Sequence, residues 1–373
     1  GPLKGLKVVE IAGIGPSPHA CMILADLGAD VIRVERPGGQ MLTGGSHDLL
    51  NRGRPSVALN LKDPEAVATV LDLVEQADVL VEGMRPGVAE RLGFGPEECH
   101  ARNPRLVYGR MTGWGQDGPL ARTAGHDLDY IAVAGVLAHV GRRGQPPTPP
   151  LNLIGDYGGG AMLLVVGVLA ALWEAQRSGQ GQVVDAAMVD GAALLMSLFH
   201  SLFATGLWNA EVGVNLLDSG APFYDVYRTA DDRWIAIGCL EPQFYAEWLR
   251  IAGLEGEDLP GQYDTAGWPT LRERFAEVVR HRTRDEWAVL AEASDACVAP
   301  VLTMAEAPDH PHMAARRTFL DVGGVRQAAP APRFSRTPPS APGAVRLSDP
   351  ESLLTWGIDA DRISSLRGSG TLT

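Results

Sequence analysis

The chain opens on a strand, a glycine-rich turn, a helix and a second strand, and this opening narrows the possible folds more than any other feature. Residues 8–11 (Val-Val-Glu-Ile) are a short apolar run, followed by Gly13-Ile14-Gly15-Pro16. Residues 18–27 read as a helix stopped by Gly28, and residues 30–34 as a second strand. Strands joined through a helix pair in parallel. Further strands are expected at residues 57–59, 79–82 and 106–110, and a helix at residues 64–76. Strands and helices alternating in this way predict an α/β fold with a doubly wound parallel sheet.

The pattern then changes. Residues 184–208 are nearly all apolar and helical in character, so a long buried helix containing His200 is expected. Residues 223–229 and 234–239 flank Ala230-Asp231-Asp232-Arg233, a hairpin signal. Helices are expected at residues 242–252, 271–280 and 283–294, and a proline-rich extended return from Gly323. The expected organisation is a large α/β domain over residues 1–190, completed by residues 320–373. Residues 191–222 read as a helical linker and residues 223–319 as a smaller α+β domain.

At 373 residues the chain exceeds one ordinary core, which agrees with two domains. Acidic residues outnumber basic ones 45 to 32, a formal net charge of −13. That balance argues against nucleic acid as a partner, and a polyanionic ligand would need a local basic patch. Cys21, Cys99, Cys239 and Cys297 are scattered, without metal-ligand spacing, and read as free thiols with no metal site. No apolar leader follows the first residues, and the apolar run 161–172 is short of the ~20 residues that span a bilayer. A cytoplasmic location and no membrane span are expected.

Gly13-x-Gly15, with Glu35 further on, invites a dinucleotide reading, but proline occupies position 18 where a third glycine would stand. Three other positions draw more interest. Asp156, in Gly155-Asp156-Tyr157-Gly158-Gly159-Gly160, precedes an apolar helix expected at residues 161–173. Capping explains the aspartate, whereas the glycines also allow close approach. His126 precedes a helix at residues 128–136, and Glu241 precedes Pro242, where capping is again an alternative. A helix N-terminus favours carboxylate over acid and neutral imidazole over imidazolium. A histidine and two carboxylates so placed suit proton transfer, and the free N–H groups there suit a developing oxyanion.

Several motifs carry a family resemblance. Asn51-Arg52-Gly53-Arg54-Pro55-Ser56-Val57-Ala58-Leu59-Asn60-Leu61-Lys62 resembles a signature of the family III coenzyme A transferases. So do Glu82-Gly83-Met84-Arg85-Pro86-Gly87, Asn103-Pro104-Arg105-Leu106, Thr112-Gly113-Trp114-Gly115-Gln116-Asp117-Gly118-Pro119 and Pro332-Arg333-Phe334-Ser335. Gly125-His126-Asp127, Gly155-Asp156 and Glu241-Pro242-Gln243-Phe244-Tyr245 resemble its α-methylacyl-CoA racemase branch, particularly the mycobacterial type. The resemblance implies His126 and Asp156 as paired acid/base residues, Glu241 orienting His126, and backbone N–H groups near Asp127 receiving an enolate oxygen. It also implies an interlocked homodimer, a 2-methylacyl-CoA substrate from lipid metabolism, and no metal, flavin or nicotinamide. Arg36, Arg52, Lys62, Arg85 and Arg91, with Tyr130, fall where the family holds coenzyme A. A transferase using Asp156 as nucleophile and a non-catalytic acyl-CoA carrier are the rival readings.

Overall fold

The computed structural model describes residues 1–39, 45–346 and 348–373. The chain divides into two compact units. The first comprises Gly1–Ala134, Pro150–Met196 and His312–Thr373, and the second Gly135–Pro149 and Ser197–Pro311.

The first unit is built on six parallel strands: β1 (Lys7–Ile11), β2 (Asp30–Glu35), β3 (Ser56–Ala58), β4 (Val79–Glu82), β5 (Val107–Thr112) and β6 (Val183–Ala187). Their order is β3-β2-β1-β4-β5-β6, with Val8 opposite both Val31 and Val79. Chain order reverses between β1 and β4, and ligands of open α/β sheets bind in that crevice, outside the carboxyl ends of the strands. Covered on both faces, the central strands β1 and β4 bury their charged residues Glu10 and Glu82 along with the valines and leucine beside them.

On one face lies α2 (Pro64–Gln76), whose Val70, Leu73 and Val74 are fully buried. The C-terminal helices α13 (Ser352–Thr355) and α14 (Ala360–Gly368) add Leu353, Trp356, Ile363 and Leu366 to the same core. The return segment was expected to be extended, and its two helices are a finding of the structure. Against the other face pack α1 (Pro16–Asp26) and α6 (Met162–Ser178), through Ala20, Leu24, Leu164 and Val168. The helical stretch Leu153–Ser178 is long and apolar enough to cross a membrane by length and composition, which the run 161–172 alone did not suggest. Leu164, Val165, Val168 and Ala171 nonetheless bury against the sheet, as in a core helix.

Residues 184–208 do not form one buried helix. They begin in strand β6 and continue as α7 (Met188–Leu195) and α8 (Ser197–Ala204), with His200, Leu194, Leu198 and Phe203 exposed. A continuous apolar run cannot by itself separate a strand from a helix.

The second unit holds an antiparallel sheet of β7 (Tyr224–Arg228), β8 (Trp234–Gly238) and β9 (Val298–Pro300). The hairpin falls where the sequence predicts it. Helices α9 (Pro242–Ala252), α10 (Trp268–Val279) and α11 (Arg284–Glu292) surround a core centred on Phe223, Trp248, Phe275 and Trp287.

Candidate active site

A cavity of about 790 Å³ lies in the first unit beyond the carboxyl ends of β1, β4 and β5. Ile14–Ser17 follow β1, Gly83–Pro86 follow β4, and Gly113 and Trp114 follow β5; all of these border it. The remaining wall brings together His126, Tyr130, Asn152, Asp156 and Tyr157. The two residues proposed as an acid/base pair therefore face one space, at the switch point of the sheet.

His126 is the N-cap of α5 (Asp127–Val133), and its backbone N–H donates to Asp129 Oδ2 at 2.9 Å. The loop before it is held by Tyr130, whose hydroxyl donates to the carbonyl of Gly125. The Tyr130 ring meets Trp114 edge-on, with centroids 4.9 Å apart. A Cβ at Gly113 would lie 2.1 Å from that ring and one at Gly125 2.8 Å from it, so both positions need glycine. Asp127 is buried; its Oδ2 accepts the backbone N–H of Asp156 at 2.7 Å.

Asp156 does not cap a helix that begins near residue 161. It lies inside a π-helical turn, Leu153–Ala161, that leads into α6. Such turns are rare and collect at functional sites. The glycines that follow serve a tight crossing: a Cβ at Gly159 would lie 2.6 Å from the Ala192 nitrogen, and one at Gly191 1.9 Å from the Gly159 carbonyl oxygen. The partner admitted by these small residues is α7.

The position of Asp156 is expected to favour the carboxylate, and burial in the structure works against that preference. Burial raises its pKa above the ordinary aspartate range, the Asn152 Nδ2–H bond at 3.0 Å lowers it, Asp127 raises it, and the charge of His126 lowers it. Desolvation outweighs the stabilising partners. Proximity of His126 and Asp156 is thus felt electrostatically as well as seen in the cavity wall.

The other expected residues are distributed unevenly. Arg85 borders the cavity and is exposed, and Arg36, Lys62 and Arg91 are exposed as well. Arg52 departs from its expected role. It is 4% exposed, and its guanidinium is committed to Asp26, to Gln327 Oε1 at 2.8 Å and to the Ala328 carbonyl. A cation so engaged ties α1 to the strand Val325–Ala328 and is not available to a phosphate. Tyr130 borders the cavity but is 6% exposed with its hydroxyl engaged, so it braces the His126 loop. Glu241 is the exposed N-cap of α9 in the second unit and makes no side-chain capping bond. Asn152 and Tyr157 were not anticipated. Asn152 stands four residues before Asp156, a spacing that places side chains on one helical face.

A model described as CoA-transferase family III matches residues 3–352. The chain belongs to CoA-transferase family III. Among family members, it is 44% identical over 372 residues to alpha-methylacyl-CoA racemase of Mus musculus, covering 98% of this chain and 96% of that one. It is 32% identical over 375 residues to acetyl-CoA:oxalate CoA-transferase of Acetobacter aceti, covering 94% of each. The crystal structure of a CAIB/BAIF family protein from Brucella suis superposes with a TM-score of 0.84 at 25% identity, covering 96% of this chain and 99% of that one. The family resemblance carried by the motifs and the mixed α/β architecture expected from alternating strands and helices agree with these likenesses.

Proposed function

We propose that this family III protein is an acyl-CoA racemase that interconverts (2R)- and (2S)-2-methylacyl-CoA thioesters. The observation that carries the reading is the pairing of His126 and Asp156 on one cavity, where burial raises the Asp156 carboxyl above the ordinary aspartate range. The higher identity to the mouse racemase than to the oxalate transferase supports it.

The thioester carbonyl acidifies the hydrogen on C2. One member of the pair removes it as a proton, and the electron pair of the broken C–H bond passes to the thioester oxygen as a planar enolate. The other member returns a proton to the opposite face of C2. The two groups finish with exchanged protonation states, which proton exchange with solvent resets. The N–H groups of Asp127 and Leu128, at the start of α5, have no intrahelical acceptor and suit the enolate oxygen. The reading needs no cofactor beyond the coenzyme A of the substrate. Arg36, Lys62, Arg85 and Arg91 are proposed to meet its phosphates, since they are exposed cations on the loops and helix that follow the strands.

A homodimeric, cytoplasmic enzyme of methyl-branched lipid metabolism is the setting we propose. Met162, Val166 and Trp173, four and seven residues apart, leave an apolar stripe of α6 uncovered, with Val166 59% and Trp173 66% exposed. Sedimentation as a monomer at micromolar concentration would contradict the dimer.

Incubation with a 2-methylacyl-CoA in heavy water, with no acceptor acid, tests the activity. Deuterium should enter C2. A protein that leaves C2 protiated, transfers coenzyme A only when a carboxylic acid is supplied and yields an acyl-aspartyl adduct to hydroxylamine is a transferase instead.

A further inference from the structure

Helix α1 makes two contacts, one helical turn apart, with the segment that carries Asp156. At its N-cap, Gly15 leaves so little room that a Cβ there would lie 2.9 Å from Asp156 Oδ2. Four residues on, where the helix returns to the same face, the His19 imidazole stacks on the ring of Tyr157. The centroids are 4.3 Å apart and the planes 21° from parallel. Consecutive residues of the π-helical turn are thereby registered against two positions of one helix.

We propose that His19 is a positioning residue for Asp156, acting through the stack on Tyr157. A π-helical turn has no strong preference of its own, so its neighbours must impose its geometry. Asp127 fixes the Asp156 N–H, and α7 closes on Gly159. On the side of α1, where Pro16 also lies against Gly160, the His19–Tyr157 stack is the ring contact that sets the rotation of the turn. Tyr157 borders the cavity, so a ring released from His19 gains room to swing and takes the neighbouring carboxylate with it. His19 itself stands behind Tyr157, and its Nδ1 is buried without a hydrogen-bond partner among the described residues. Burial lowers its pKa, and the charges of Arg52 and Arg54 lower it further, favouring the neutral form of the stacked ring against the opposing pull of Asp26.

The inference rests on the racemase reading, and two variants separate its failure from that reading's. His19→Leu keeps the volume of the side chain but cannot stack, while His19→Phe restores a ring. Displacing a reacting group by about 1 Å costs on the order of 100-fold, so a partial loss of register should cost less. For deuterium entry at C2, His19→Leu should lower kcat about tenfold with KM within about twofold, and His19→Phe should recover most of the loss. Melting temperatures of the two variants should agree. Full activity in His19→Leu, or an equal loss in His19→Phe, overturns the positioning role while the racemase reading stands. A wild-type protein that exchanges nothing overturns both.

Discussion

Asp127 Oδ2 accepts the backbone N–H of Asp156 at 2.7 Å, joining positions 29 residues apart in sequence. The residue directly after His126 therefore holds the backbone of Asp156. The two arms of the proposed acid/base pair are one bonded unit, and the spacing between them is set by a buried carboxylate and not by two independent loops.

Replacing Asp127 by alanine should leave that half-buried N–H without its acceptor. The expected loss of stability is about 1–3 kcal/mol. Exchange at C2 should fall by about 100-fold if Asp156 moves by ~1 Å. Asp127→Asn, which keeps an oxygen acceptor, should lose less of both. Urea unfolding and deuterium exchange read the two quantities, and an alanine variant with the wild-type rate would remove the link.

Gly15→Ala places a methyl group 2.9 Å from Asp156 Oδ2 at a backbone φ of +69°. With ψ at −113°, that backbone conformation alone costs a non-glycine residue about 1–3 kcal/mol. The variant should fold, melt a few degrees lower and lose most of its kcat through displacement of the carboxylate. Unchanged kcat would show that the contact does not shape the reacting geometry.

How much of this was legible before the fold was known depends on the kind of interaction. The ends of α2, β4 and α9 fall where Pro64, Val79 and Pro242 announce them, because proline and apolar patterning act locally. His126 and Asp156 were legible through motifs. The Asp127 bond, the crossing of Gly159 by Gly191 and the burial that raises Asp156 were not, since each depends on a distant segment. Arg52 shows the opposite failure: a cation in a ligand-binding region looks available until its partner Asp26 is placed beside it. The π-helical turn leaves no periodic trace that nine residues could display.

Glu82 gives the fold a pH dependence of its own. It is buried at the end of β4, accepts the Met84 N–H at 2.6 Å and pairs with Arg110 at 3.2 Å, yet burial pushes its pKa up to about 7. In the unfolded chain a glutamate titrates near pH ~4.3. Between those values the folded state holds the extra proton, so the contribution is full below the unfolded pKa and is lost as pH rises through about 7. Unfolding free energy should fall by about 3–4 kcal/mol from this group between the acid and alkaline sides of that window. Glu82→Gln should flatten the slope, and an unaltered slope would exclude Glu82 as its source.

Glu10 is fully buried in β1, with Arg54 Nε 2.9 Å from one carboxylate oxygen and Arg33 Nε 3.5 Å from the other. Removing one partner of such a cluster leaves uncompensated buried charge and costs about 3–5 kcal/mol. Glu10→Ala should therefore lower the melting temperature sharply, with Arg54→Met in the same chain restoring part of it. A Glu10→Ala protein as stable as wild type would mean that water reaches the two guanidinium groups.

The central claim is that two groups work on opposite faces of one carbon. It is tested by starting from a single 2-methylacyl-CoA epimer in heavy water and stopping the reaction at low conversion. Mass spectrometry of the separated epimers should find deuterium at C2 of the inverted product and protium at C2 of the recovered substrate. Product that keeps the original protium, or substrate and product labelled alike, would mean that one group serves both faces and would contradict the account.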